Sequence, residues 1–263
     1  MKLSIITINY NNCSGLEKTI QSVIKQSFTD YEWIVIDGGS TDGSKELLES
    51  YQNHFTYWVS EPDNGIYHAM NKGTQQASGE YCLYLNSGDY LIDEQVLAKV
   101  FKNPLPADVC YGDVDCIEND KVIEHRTYPN KMTLTFLFRA PLGHQATFIK
   151  TEAAKAHPYM EKYKISADRG FFLELYCNNY SFYHLPIPIV YFDTEGIGSN
   201  PKTIADRKEQ FYQIKREFFA NQVVEDIEKL QAKEDEFDFV QRIAPIRYTY
   251  QFFKKLQSLK YKL

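Results

Sequence analysis

No stretch of this chain strings together the about 18 apolar residues that would cross a bilayer. The opening MKLSIITINYNN runs from one lysine straight into a β-branched segment, without the apolar core or small-residue cleavage site of a secretory leader. A cytoplasmic protein is therefore expected. Cysteine is sparse and poorly matched for cross-linking: Cys13, Cys82, Cys110, Cys116 and Cys177 are odd in number, form no C-x-x-C pair and mostly sit in apolar runs. They read as buried thiols in a reducing compartment, not as disulfides or a zinc site. Excess positive charge is missing too, since a formal net charge of −6 argues against general nucleic-acid binding. Two nucleotide motifs are also absent. The first loop, Asn9-Tyr10-Asn11-Asn12-Cys13-Ser14-Gly15, is neither G-x-G-x-x-G nor G-x-x-x-x-G-K-[ST], which disfavours a hydride-transfer enzyme and a phosphate-loop ATPase.

What is present is apolar and aromatic, 43% and 15% of 263 residues, enough for one large core with an appendage. The organising stretch is YCLYLNSGDY, residues 81–90, an apolar run that stops abruptly at Asn86, Ser87, Gly88 and Asp89. A run of that kind suits a strand covered on both faces, and in open α/β sheets ligands bind just past the carboxyl ends of such strands. Asp89 is placed either to hold a hard divalent cation or to cap a helix starting near Asp93.

Upstream the same pattern repeats. Residues 3–8 form a β-branched run, and Ser14 with Glu17 makes a capping-box pattern before Leu16, Ile20, Val23 and Ile24, which share one helical face. A second strand at 33–36 ends in Asp37-Gly38-Gly39-Ser40, and a third near 55–59 ends in Glu61-Pro62-Asp63-Asn64-Gly65 before a helix through Ile66, Met70 and Gly73. Strands alternating with helices across short polar loops imply a mostly parallel sheet with right-handed crossovers. One edge of that sheet would gather Thr7, Asn9, Asp37, Asp63 and Asp89. Asp37, beside two glycines, can accept a hydrogen bond from a base N–H or can simply form a turn.

Past Asp89 the alternation loosens. Residues 109–117 and 122–128 read as a hairpin added to the sheet, 132–138 as an apolar helix, and 183–192, with Pro186 and Pro188, as an edge strand. His144 precedes a strand at 146–150 and either faces a cleft or is structural. Asp168 stands before an apolar helix at 171–176, where it can cap the helix, serve as an ionised base, or do both. A Gly-rich loop at 193–201 has the composition of a lid, and two helices follow near 204–219 and 223–233.

Together these stretches resemble the inverting GT-A glycosyltransferases of family 2, most closely the short bacterial members that build capsular, exopolysaccharide or O-antigen repeat units. The likeness spans roughly residues 1–215. LSIITINYNN resembles the opening strand, IVIDGGSTDGS the strand-two signature, SEPDNGIYHAMNKG the pattern of the short bacterial enzymes, and LNSGD the D-x-D-type metal motif. Asn86 and Gly88 replace two frequent acids, leaving Asp89 as the carboxylate ligand, and Arg169-Gly170 replaces an aromatic-acid pair.

The resemblance implies an α/β GT-A fold over 1–220, a mixed, mostly parallel sheet flanked by helices with a nucleotide half and an acceptor half, and a helical basic extension over 221–263. It implies an NDP-sugar donor, a UDP-sugar foremost, held by Thr7, Asn9, Asp37, Asp63, Lys72 and Asn86. A divalent cation, Mn²⁺ or Mg²⁺, would sit on Asp89. His144 and Gln145 would line the side of a saccharide or lipid-linked acceptor, and Asp168 would be the base. A nucleotidyltransferase and a non-catalytic nucleotide- or carbohydrate-binding protein are the rival readings. After Asp238 come Arg242, Arg247, Lys254, Lys255, Lys260 and Lys262, interleaved with bulky apolar residues and without an acid. That mixture suits either peripheral contact with an anionic membrane at the inner face of the cell or packing on the enzyme's own acidic body.

Overall fold

A computed structural model describes residues 1–194 and 201–242. The core is a mixed sheet. Strand β1 (Leu3–Asn9) is buried at every position, as its β-branched composition requires, and pairs in parallel with β2 (Tyr31–Asp37) and with β4 (Tyr81–Tyr84). Strand β3 (Tyr57–Ser60) extends β2 at one edge. These parallel pairs are connected through helices α1 (Cys13–Ile24), α2 (Ser44–Tyr51) and α3 (Ile66–Gln76). Gly73 lets α3 lie close on the sheet, because a Cβ there would fall 2.5 Å from Ile6 Cγ2. The α1 start differs from the expected capping box. Asn12, not Ser14, is the cap, its Oδ1 accepting from the Gly15 N–H at 3.2 Å.

The second half mixes antiparallel pairs with one parallel pair, Val109–Glu118 with Phe182–Asp193. After the short β5 (Tyr90–Leu91) and α4 (Val96–Val100), β6 (Val109–Glu118) and β7 (Lys121–Arg126) form the hairpin. Helix α5 (Leu134–Arg139), β8 (Thr147–Lys150), α6 (Thr151–Ala156), α7 (Ala167–Cys177) and β9 (Phe182–Asp193) follow. The strand order is β3-β2-β1-β4-β8-β6-β9-β5, with β7 on β6. Strand β9 pairs with β6 along its length and with β5 only at Val190 and Tyr191, so among the described residues its stretch with Pro186 and Pro188 is an edge, as expected. It tolerates Pro186 and Pro188 because its register with β6 shifts on either side of Asp113, where ladder donors are not needed.

The side chains that fill this sheet are unusually aromatic. Trp33, Tyr81, Tyr84, Tyr111, Phe148, Phe171 and Phe172 are all below 2% exposed, and each contributes about 1.5–3 kcal/mol on burial. Cys82, Cys110 and Cys116 are buried thiols, whereas Cys177 is exposed. Helices α8 (Ile204–Phe218) and α9 (Asn221–Arg242) end the described chain. Two compact units divide inside α8, at Ile214, and the second, starting at Lys215, links its helices through Lys215 Nζ and Glu228 Oε1 at 2.9 Å. No helix among the described residues is long and apolar enough to cross a membrane. The loop at 195–200, expected as part of a lid, and the basic positions Arg247, Lys254, Lys255, Lys260 and Lys262 lie outside the described residues.

Candidate active site

The carboxyl ends of β1, β2 and β4 open on one edge, and their polar residues divide into two corners. At the first, Asp37 is fully buried. Its Oδ1 accepts from Asn9 Nδ2 at 2.7 Å and Ser40 Oγ at 2.5 Å, and its Oδ2 from the backbone N–H of Gly39 and Ser40 and from Ser60 Oγ at 2.6 Å. Burial alone would push this carboxyl up. The Ser40 and Ser60 hydroxyls and the other donors more than offset that, so it sits below its ordinary value. Five donors exceed the about four lone-pair positions of a carboxylate. Asp37 therefore anchors the loop, with both oxygens engaged by protein donors. Thr7 lies in the interior, where Oγ1 accepts from the Trp33 indole N–H at 3.0 Å. Asn9 is 3% exposed and positions Asp37.

The reading capacity of this corner passes to Asp63. Its Oδ1 accepts from the Gly65 N–H at 2.7 Å. Its Oδ2 takes no donor among the described residues and flanks Gly38, where a Cβ would come within 2.7 Å of it. The same glycine faces the ring of Tyr10, which is 66% exposed at the end of β1. An exposed aromatic face beside a free carboxylate oxygen can stack on a flat base and accept its N–H. Tyr10 was not anticipated as a site residue; its only signal was an aromatic in an otherwise polar strand-end loop. Lys72 lies on α3 with its ammonium against Glu61.

The second corner joins β4 to α7. Asn86 Nδ2 meets His144 Nε2 at 3.1 Å, and His144 Nδ1 lies 3.8 Å from Asp168 Oδ2. An amide nitrogen only donates, so Nε2 accepts and the ring proton sits on Nδ1, facing the carboxylate. Asp168 lies in the first turn of α7 behind Ser166, so it is not the cap. Its Oδ1 is 3.1 Å from the Tyr67 hydroxyl, which also lies 2.9 Å from the Ile165 carbonyl and shares one proton between them. Burial pushes Asp168 up, but His144, Tyr67 and the Arg169 backbone N–H together hold it below the ordinary carboxylate value. Its side chain keeps 19% exposure, so an ionised oxygen faces the outside. Tyr67 is the residue sequence reasoning missed here, because on α3 it reads only as a core-facing aromatic. Stacking of Tyr67 on Tyr159 at 5.4 Å, and of Tyr159 on Phe171 at 4.5 Å, ties α3 to α7 and fixes the angle of the base. Gln145 is buried beside His144 in a 3₁₀ turn.

Asp89 completes this corner without capping a helix. It is 6% exposed, and its Oδ1 accepts from the Asp193 N–H at 3.3 Å. Burial pushes its carboxyl up to about 7 against the nearby His144 ring, so its negative charge is poorly met by protein. The Asn86 Oδ1 atom is buried and has no hydrogen-bond partner. Among the described residues no group of three or more His, Cys, Asp and Glu side chains forms a ready-made metal cluster. An under-compensated carboxylate and an orphaned amide oxygen are nevertheless the hard donors that suit Mg²⁺ or Mn²⁺, which keep water and phosphate in their other positions. A cleft of about 650 Å³ lined by Glu17, Lys18, Tyr90 and Asp120 contains none of the candidate residues.

Comparison with known proteins bears on the family and the fold. Residues 4–156 match the model of Glycosyl transferase family 2. An uncharacterized glycosyltransferase of Mycobacterium tuberculosis is 33% identical over 207 residues, 75% of this chain and 77% of its own length. A PGL/p-HBAD biosynthesis glycosyltransferase of Mycobacterium bovis is 28% identical over 183 residues, 66% of this chain and 70% of its own. Among solved structures, S. aureus TarS 1-349 in complex with UDP-GlcNAc superposes with a TM-score of 0.66 at 23% identity. That match covers 81% of this chain and 65% of TarS 1-349. The mannosyltransferase PcManGT of Pyrobaculum calidifontis, in complex with GDP-Man and Mn²⁺, superposes with a TM-score of 0.59 at 15% identity over 94% of this chain and 82% of that one.

Proposed function

Because the chain belongs to glycosyl transferase family 2 and has its GT-A fold, we propose that it is an inverting glycosyltransferase of bacterial surface-polysaccharide synthesis. The donor is a nucleoside-diphosphate sugar, a UDP-sugar foremost, and the acceptor a hydroxyl of a saccharide or lipid-linked saccharide. One observation carries this reading: His144 touches Asn86 at the end of β4 and also faces Asp168 on α7. An ionised base thereby stands beside the strand end where a donor's diphosphate would lie.

In the proposed reaction Asp168 takes the proton of the acceptor hydroxyl, and the freed oxygen forms a bond to the anomeric carbon. The bond from that carbon to the diphosphate oxygen breaks, its electron pair leaves with the nucleoside diphosphate, and one displacement inverts the centre. His144 and Tyr67 keep the carboxylate ionised and aimed. Tyr10 and Asp63 hold the base, and Asp37 with Asn9 keeps their loop in place. Asp89 with Asn86 would hold a divalent cation, which when bound neutralises charge gathering on the leaving diphosphate. Base catalysis supplies about 10²–10⁴-fold, so positioning and charge neutralisation supply the rest. The complexes of TarS with UDP-GlcNAc and of PcManGT with GDP-Man support a nucleotide-sugar donor here. The basic residues after Asp238 support a peripheral site at the inner membrane face.

Thermal unfolding of wild type and Asp89→Asn with UDP-, GDP- and dTDP-sugars, each with and without Mn²⁺, tests the reading. The expected result is stabilisation of wild type by one nucleotide class, about 2.7 kcal/mol at a hundredfold excess over Kd, enhanced by Mn²⁺ in wild type alone. No stabilisation by any nucleotide sugar would reject the function, and equal Mn²⁺ dependence in Asp89→Asn would reject the metal site.

A further inference from the structure

The base has a neighbour that the proposed chemistry does not use. Arg169, next to Asp168 on α7, is mostly withdrawn from solvent, yet among the described residues no carboxylate lies within ion-pair distance of it. Its Nη2 reaches only the Phe138 carbonyl, at a long 3.5 Å, and its Nε is buried with no hydrogen-bond partner. The guanidinium carbon rests 3.4 Å from the centre of the Phe211 ring. Gly170 creates this seat: a Cβ there would come within 2.6 Å of Met160 and 3.1 Å of Ile214, so its absence lets α8 approach α7 and places Phe211 beneath Arg169.

A cation stacked on a ring keeps its in-plane N–H groups available, and leaving a withdrawn guanidinium unpaired is unfavourable unless an anion completes it. Burial lowers the Arg169 pKa to about 10, and Arg207 nearby adds repulsion against the attraction of Asp168. Electrostatically this is a positive seat awaiting a negative guest. Its position identifies the guest. Phe138, whose carbonyl Arg169 meets, lies in the last turn of α5, from which the chain runs on to His144, and Asp168 is the adjacent residue. A planar fork of N–H donors matches phosphoryl oxygens.

We infer that Arg169 is a subsite for a phosphoryl group of the acceptor, close to the hydroxyl that Asp168 deprotonates. The acceptor is then a phosphate or diphosphate ester, as in a lipid-linked sugar or a soluble sugar phosphate, and not a neutral glycan. This rests on the reading of Asp168 as the acceptor-side base.

The full chain is titrated calorimetrically with UDP and Mg²⁺ first, which tests the donor site by itself. With that site saturated, geranyl phosphate, glucose 1-phosphate and glucuronate are titrated into wild type, Arg169→Lys and Arg169→Gln. Phosphate-ester affinity is expected to fall about tenfold or more in Arg169→Gln and less in Arg169→Lys, with UDP affinity unchanged. Tighter binding of geranyl phosphate supports a lipid-linked source, and tighter glucose 1-phosphate a soluble one. Should Arg169→Gln fail to fold, the Arg169 Nε–H resonance of wild type gives the same answer, since it is expected to shift with a phosphate ester and not with glucuronate. Equal affinity in the variants, an unmoved resonance, or a preference for glucuronate would overturn the subsite. Failure of wild type to bind UDP would instead strike the donor reading.

Discussion

The corner after β2 and the corner between β4 and α7 both end buried strands in short polar side chains, but they treat those side chains in opposite ways. Around Asp37 both carboxylate oxygens are satisfied by Asn9, Ser40, Ser60 and backbone N–H groups, although Asn9 Oδ1 beside them is buried without a partner. Around Asp168 more capacity is left over: the Asn86 Oδ1 and Arg169 Nε atoms lack partners, and Asp89 is buried with its charge poorly met. Buried polar groups are nearly always paired, so a fully satisfied carboxylate reads as scaffold and an unmet one as capacity for a ligand. On that criterion Asp37 anchors the glycine-rich loop that presents Tyr10 and Asp63, and Asp89 is the acid with capacity to spare.

The sharpest way to break this contrast is Asp168→Asn. Turnover is expected to fall by about 10²–10⁴-fold while calorimetric UDP affinity stays at the wild-type level; near-normal turnover would place the base elsewhere. Next in size is Asp37→Ala, which strands several buried donors and should cost on the order of 3 kcal/mol in urea unfolding. A variant of wild-type stability that lost only nucleotide affinity would make Asp37 a ligand-binding residue after all. The sign of the pH effect follows from the same bonds. The folded pKa of Asp37 is depressed, so its contribution is present above the ordinary carboxylate value and lost as pH falls through the folded one. Wild type should therefore lose stability below about pH 4, and Asp37→Asn should lose less over that interval. The smallest effect belongs to Tyr67→Phe. Removing a donor that helps lower Asp168 raises the pKa of the base, so the acid limb of kcat should move up by about half to one pH unit, with KM for the donor unchanged. An unmoved limb would reduce Tyr67 to packing.

The two corners were also unequally legible from the residues alone. Period and punctuation located the strands, because β1, β2 and β4 are buried on both faces and read as unbroken apolar runs. Asp89 and Asp168 were visible as carboxylates at element ends. What the linear pattern could not reveal was convergence. Ser40, in a loop, and Ser60, at the end of β3 and 20 residues further on, both turn their hydroxyls to Asp37, which makes it an anchor. Asn12 won the helix cap over Ser14 because the helix begins at Cys13, three residues before Leu16, the first residue of its apolar face. The prolines of β9 signalled an edge, and the stretch that carries them is paired with β6 on one side alone, while β5 joins only at Val190 and Tyr191. Tyr67 carried no mark, since its function comes from a partner far away in the chain.

That last separation has a consequence in time. Tyr67 and Asp168 are 101 positions apart, and the aromatic stack beneath them joins residues 67, 159 and 171. Closing so long a loop is entropically costly, and folding slows as contacts become less local. The parallel strands β1, β2 and β4, with their helices, lie within the first 84 residues and can assemble while the rest of the chain is still being synthesised. Asp168 gains its orienting partners only after β8 and α7 have docked. A chain folding in that order would pass through a stage with the parallel edge formed and Asp168 not yet aimed. Such an intermediate would hold a donor without transferring its sugar, and completion of the aromatic stack would be the step that switches activity on.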